Sequence, residues 1–81
     1  MSKNIDYLDK FFVYVETINI QLLKGDKDWL RDLVFRRNTN TMRLLLRQYI
    51  EIWLAELEKE DNQNKARYAA NTYIRIAILG S

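Results

Sequence analysis

The sequence predicts an all-α protein, a compact bundle of three to four helices that associates as a dimer. Three observations support this fold class. No proline interrupts the 81 residues, apolar residues recur at the three- and four-residue spacing of a helix, and the stretches between them are short and polar. Since a chain of this length holds one domain, residues 1–81 are predicted to form a single helical domain.

The first predicted helix covers residues 5–23. Its large apolar residues group on one side at about 100° per residue, and most of its charged residues fall on the other side. Between Phe11 and Ile20 the chain is rich in β-branched and aromatic residues, so a strand is the competing interpretation. The single-sided grouping and two carboxylates near the start, Asp6 and Asp9, favour the helix.

Two polar breaks delimit the second predicted helix, residues 27–37. Gly25 suits the position that ends a helix, and Asp26 or Asp28 can cap the next one. Residues 38–41 are then expected to form a turn with an N-cap, because Asn and Thr side chains compete with the backbone for hydrogen bonds. The alternative is a polar kink in one continuous helix over residues 27–60, since neither glycine nor proline interrupts it.

The third predicted helix, residues 41–60, has the widest apolar arc of the chain, roughly 200°. We therefore expect this helix to be central and Trp53 to be buried. Residues 61–64 are a polar connector, and the fourth predicted helix covers residues 65–79. Gly80 and Ser81 either stop that helix or are a remnant of a cloning site.

The apolar content predicts a homodimer. The chain has 34 large apolar residues, whereas a chain of this size buries only about 60–65% of the surface that its unfolded form exposes. Without cysteine there is no disulfide to support a small core, so association with a second copy is the remaining means of stabilising it. The residues predicted to form the dimer interface are Phe11, Phe12, Val15, Leu22, Tyr49 and Trp53.

The composition argues against an enzyme. Histidine and cysteine are absent, which removes the usual general base, the thiolate nucleophile and the common zinc ligands. The acidic residues at positions 56–61 are most simply a solvated helix end. With glycine only at positions 25 and 80, the chain has no phosphate-binding loop. We therefore predict no catalytic residues, no metal site and no cofactor.

Charge is divided into blocks along the chain. Residues 31–47 hold five arginines and one acid, whereas residues 51–61 hold five acids and one lysine. This order opposes the dipole of the third helix, which favours acids at its start and bases at its end. The residues predicted to bind a partner, here called the arginine group, are Arg36, Arg37, Arg43 and Arg47. Their partners are either the acids of a second copy or an external anion.

These features predict a small helical protein–protein interaction module that acts as a homodimer or as an adaptor for another, unidentified protein. The alternative is a nucleic-acid-binding protein whose arginine group contacts phosphates. Glu51 argues against the alternative, because it lies on the same outer side of the third helix and would repel phosphate. No stretch approaches the ~18–20 apolar residues of a membrane span, and a cytoplasmic location is expected.

Overall fold

The computed structural model describes residues 3–79, and 82% of this part of the chain is helical. The four helices are α1 (Lys3–Val15), α2 (Lys24–Val34), α3 (Thr39–Glu60) and α4 (Gln63–Leu79). No strand occurs among the described residues, so the all-α prediction is confirmed and the strand alternative for the first segment is wrong. Gly80 and Ser81 lie outside the described residues.

The chain divides into two compact units, residues 1–42 and residues 43–81. Helix α3 begins in the first unit and continues through the second. The single domain and the dimer of the sequence analysis stay predictions, and the two units are described in turn.

In the first unit, α1 and α2 form an antiparallel pair of helices. Near one end of the pair, Lys27 Nζ lies 3.6 Å from Glu16 Oε1, and one helical turn further on Arg31 Nη2 lies 3.5 Å from Asp9 Oδ1. The guanidinium of Arg31 also lies over the ring of Phe12, 5.6 Å from its centroid. The apolar residues buried in this unit are Leu8, Phe11, Phe12, Val15, Ile20, Leu30, Val34 and Met42.

Helix α1 ends at Val15 rather than at residue 23, so the predicted end of the first helix is wrong. Three successive N–H groups, those of residues 16–18, donate to carbonyls three residues earlier, which tightens the last turn. The Thr17 hydroxyl donates to the Tyr14 carbonyl over 2.7 Å, and Asn19 adopts a left-handed φ of 59°. The β-branched residues of this stretch have low helix propensity, which allows α1 to end early.

The break between α1 and α2 therefore lies at residues 16–23, and Gly25 does not end a helix. Gly25 is the second residue of α2 and has no positive φ. The predicted capping role of Asp26 takes a different form: its carboxylate accepts a 3.1 Å bond from the N–H of Leu23, the residue before the helix. This is the reciprocal half of a capping box, and Leu23 has no side-chain acceptor to complete it.

Replacing Gly25 by alanine is expected to stabilise the protein by about 0.5–1 kcal/mol. A Cβ at this position meets no atom within 4 Å, and alanine restricts the unfolded chain more than glycine does. Asn19→Ala is the matched opposite case, because the left-handed backbone at Asn19 disfavours alanine. Thermal melts by circular dichroism should show Gly25→Ala above and Asn19→Ala below the wild type. Equal shifts in one direction contradict this account of the two positions.

Asn4 ties the start of α1 to the segment that joins α2 and α3. Its buried side-chain amide donates to the carbonyls of Phe35 and Arg37 over 2.8 and 2.7 Å, and its Oδ1 accepts a 2.7 Å bond from the Thr39 hydroxyl. The two carbonyls belong to the turn after α2, where the helical ladder no longer supplies donors. The Asn4 side chain thus makes hydrogen bonds to residues at both ends of this turn.

Helices α2 and α3 are separate. Residues 35–38 are not α-helical, and the Oδ1 of Asn38 accepts bonds from the N–H groups of Asn40 and Thr41 over 2.8 and 3.4 Å. Asn38 is therefore the N-cap of α3. An N-cap was expected within residues 38–41, and Asn38 provides it. The turn expected there is wrong, because residues 39–41 are already helical and the non-helical segment is 35–38, and the continuous helix over residues 27–60 is also wrong.

In the second unit, α3 and α4 form a further antiparallel pair with a connection of only two residues. Asp61 takes a left-handed φ of 50°, and Asn62 caps α4 by accepting from the N–H groups of Asn64 and Lys65 over 3.0 and 3.2 Å. Lys65 Nζ lies 2.7 Å from Glu60 Oε2 across the connection. The connection is thus shorter than the predicted connector of residues 61–64. Asn62 permits this because its side chain accepts bonds from N–H groups that have no carbonyl partner in the first turn of α4.

Two large aromatic residues of α3 form the centre of the second unit. Trp53 and Tyr49 are fully buried, which confirms the predicted burial of Trp53, and their ring centroids lie 5.8 Å apart. Each aromatic donates to α4: Trp53 Nε1 to Gln63 Oε1 over 2.9 Å, and the Tyr49 hydroxyl to Asn71 Oδ1 over 2.5 Å. Their polar atoms are therefore satisfied despite burial.

Candidate interaction surfaces

The four members of the arginine group are all exposed, and their role in binding a partner stays a prediction. Arg36 and Arg37 follow α2 in the first unit, and the Arg36 guanidinium lies 5.3 Å from the centroid of the Phe35 ring. Arg43 and Arg47 lie one turn apart on α3 in the second unit. The group therefore comprises two exposed pairs, one in each unit.

The residues predicted to form the dimer interface lie elsewhere than on the surface. Phe11, Phe12, Val15, Tyr49 and Trp53 are buried within the chain, and Leu22 is half-buried. Their large apolar side chains already contribute to the folding of a single copy. Five of the six therefore offer no exposed contact face in a single copy, and the dimer and its interface stay predictions.

Large apolar residues remain exposed on both helices of the second unit. On α4, Tyr68, Ile76 and Leu79 are 68%, 64% and 73% exposed, and at helical spacing they fall within about 80° of arc. On α3, Leu44 is 52% and Leu54 is 36% exposed.

The outer face of α3 carries four residues in a regular pattern. Leu44, Arg47, Glu51 and Leu54 are all exposed and follow one another at intervals of three, four and three residues. We call these four residues the α3 strip. This spacing is that of the contact positions in a two-stranded coiled coil, and at 100° per residue it keeps the four within an arc of about 80°.

Arg47 and Glu51 make no ion pair within residues 3–79. The ion pairs that the structure shows among these residues include those of Glu16 with Lys27, Asp9 with Arg31, and Glu60 with Lys65. Arg47 and Glu51 are four residues apart, but with the cation nearer the N-terminus, which is the weaker order for a pair along a helix. Both charges are therefore available to a second molecule.

An open depression of about 420 Å³ lies between α3 and α4 near their connection. It is lined by Glu56, Asn64, Lys65, Tyr68 and Ala69. Lys65 already pairs with Glu60, and the lining contains no nucleophile with an adjacent base. The depression has no arrangement that supports a particular reaction.

The described residues contain no group of three or more acidic, histidine or cysteine side chains that could hold a metal ion. Within residues 3–79, no helix is both long enough and apolar enough to cross a membrane. The predictions of no cofactor, no enzymatic activity and a cytoplasmic location stay predictions.

Comparison with protein-family models, with curated proteins and with solved structures gave no match to this chain.

Proposed function

We propose that this protein is a small, non-enzymatic protein–protein interaction module that acts as a homodimer or as an adaptor for another protein. The observation that carries the proposal is the exposure of five large apolar side chains on the two helices of the second unit: Leu44, Leu54, Tyr68, Ile76 and Leu79. Single exposed apolar residues are ordinary, but residues that share one face of a helix are typical of contact surfaces.

The core of the second unit strengthens this argument. Trp53 and Tyr49 are fully buried and their polar atoms are bonded to α4, so the unit does not need the exposed residues to complete its interior. Their exposure costs solubility without stabilising a single copy. A contact with another chain would offset that cost by removing apolar surface from water.

Light scattering over a hundredfold range of protein concentration tests the homodimer. We expect the mass of a dimer at micromolar concentration, with dissociation at the dilute end of the range. A single-chain mass of 9.8 kDa at every concentration would reject the homodimer and leave only the adaptor form of the proposal.

Nucleic-acid binding is the second candidate, because all four members of the arginine group are exposed. Glu51 weakens it, since this exposed carboxylate lies one turn from Arg47 on the same face of α3. Titration of random duplex DNA at several salt concentrations separates the two candidates. Affinity that falls steeply with salt supports phosphate contacts, and no binding at low salt rejects them.

A further inference from the structure

The α3 strip is symmetric in its apolar positions and opposite in sign at its charged positions. Leu44 and Leu54 stand at the two ends, and Arg47 and Glu51 stand between them. If two copies of α3 lie antiparallel about a twofold axis, Leu44 of each copy faces Leu54 of the other. The same operation places Arg47 of each copy opposite Glu51 of the other, so that two identical ion pairs form.

We propose that a second copy of this chain docks on the α3 strip in this antiparallel register. The inference rests on the proposed homodimer and specifies its contact face, its orientation and its charge pairing. A twofold contact uses the same surface on both partners, so the face must be complementary to itself, and the α3 strip meets that requirement.

Charge decides the orientation. In a parallel arrangement at equal register, Arg47 faces Arg47 of the other copy and Glu51 faces Glu51, so like charges are brought together. In the antiparallel arrangement every charged position of the α3 strip faces its opposite. Neither charge gives up an ion pair within the described chain in order to form these contacts.

The charges of the whole helix act in the same direction. Two exposed bases of α3, Arg43 and Arg47, lie in its first half, whereas its second half holds four glutamates and a single base, Lys59. That order opposes the dipole of the helix to which they belong. An antiparallel second copy brings the acidic half of one helix towards the basic half of the other. It also orients the dipoles of the two helices in opposite directions.

The α3 strip admits close approach of two helices. Leu44 is about half exposed and Leu54 about one-third exposed. Both leucines would be removed from water only when the dimer forms. Ala55, exposed beside the strip, is small enough to let a second backbone approach. With four contact positions on each copy the face is modest in area, which is typical of a dimer that dissociates on dilution rather than of an obligate dimer.

Charge reversal tests the pairing. Arg47→Glu and Glu51→Arg should each raise the dissociation constant of the homodimer by about tenfold or more, because two attractive pairs become repulsive. An equimolar mixture of the two single variants should form a heterodimer, since every reversed charge then meets its opposite. The double variant Arg47→Glu, Glu51→Arg should again form a homodimer. Lys10→Glu, the same change of charge at an exposed position of α1, is the control and should dimerise like the wild type.

Light scattering and sedimentation measure these outcomes, with circular dichroism to verify that each variant is folded. A wild-type protein that is monomeric at all concentrations rejects the proposed homodimer and, with it, this inference. A wild-type dimer whose strength is unchanged in both single variants overturns the inference alone and places the contact elsewhere. Weakened single variants without recovery in the mixture also overturn the proposed pairing.

Cross-linking tests the orientation, because the chain has no cysteine of its own. A mixture of Leu44→Cys and Leu54→Cys should be joined by a short thiol-specific reagent, whereas either variant alone should not. In the antiparallel register two copies of position 44 are displaced by ten residues, or ~15 Å along the helix axis. Cross-linking of Leu44→Cys to itself would indicate a parallel arrangement and overturn the inference.

Discussion

Replacing Trp53 by alanine is expected to lower the free energy of unfolding by about 3–5 kcal/mol. The indole is fully buried, lies against the ring of Tyr49, and donates its Nε1–H to Gln63 on α4. Its removal leaves a cavity at the centre of the second unit and loses a bond between two helices. For a small domain with a total stability of about 5–15 kcal/mol, this loss is a large share of the whole.

Urea unfolding followed by circular dichroism measures the change without relying on tryptophan fluorescence. Tyr68→Ala is the matched control, because it also removes an aromatic ring from the same unit but from an exposed position of α4. We expect the control to change stability by no more than about 0.5 kcal/mol. Losses of similar size in the two variants would contradict the central position assigned to Trp53.

The second large effect is expected at Asn4. Asn4→Ala removes three hydrogen bonds and leaves the carbonyls of Phe35 and Arg37 without the amide that they accept from. Since an unsatisfied buried polar group costs about 1–3 kcal/mol, the variant is expected to lose about 2–4 kcal/mol. Asn4→Asp should lower the stability at least as much. A carboxylate cannot donate a hydrogen bond to the two carbonyls, and it places a negative charge beside their oxygens.

The same unfolding experiment includes Asn40→Ala as a control, because it removes the same amide from an exposed position in the first turn of α3. There the stability should change by no more than about 0.5 kcal/mol, since the side chain is solvated and alanine is the better helix former. Hydrogen exchange gives a local readout: Asn4→Ala should speed exchange in residues 35–41 more than in α4. Uniform acceleration throughout the chain would contradict a role for Asn4 in holding this particular turn.

Helical periodicity predicted the class of the fold and the existence of all four helices, because apolar spacing is a property of each segment by itself. Helix ends were predicted less well. Gly25 suggested the end of α1, whereas the chain turns earlier with Thr17 and Asn19. Asparagine tolerates the left-handed backbone better than most residues, so a glycine nearby is not a unique marker of a helix end.

The exposed apolar surface was harder to predict than the fold. Size and aromatic character suggested Phe11, Phe12 and Trp53 as interface residues, but the same properties place them in the core. The sequence distinguishes apolar from polar sides of a helix and does not say which apolar edge a neighbouring helix covers. The apolar pattern gave no signal for the proposed α3 strip, because two of its four residues are charged. The role of Asn4 had no local signal, since its bonds reach residues more than thirty positions away.

Neutral amides contribute hydrogen bonds at both joints that flank α3. Asn4 holds the turn after α2, Asn38 begins α3, and Asn62 begins α4. An amide side chain has no proton to gain or lose in the range of acidity that cells reach, and the chain contains no histidine. The hydrogen bonds that these three amides make therefore do not depend on the protonation state of a side chain. A change in pH near neutrality leaves the bonding at these corners of the fold as it is.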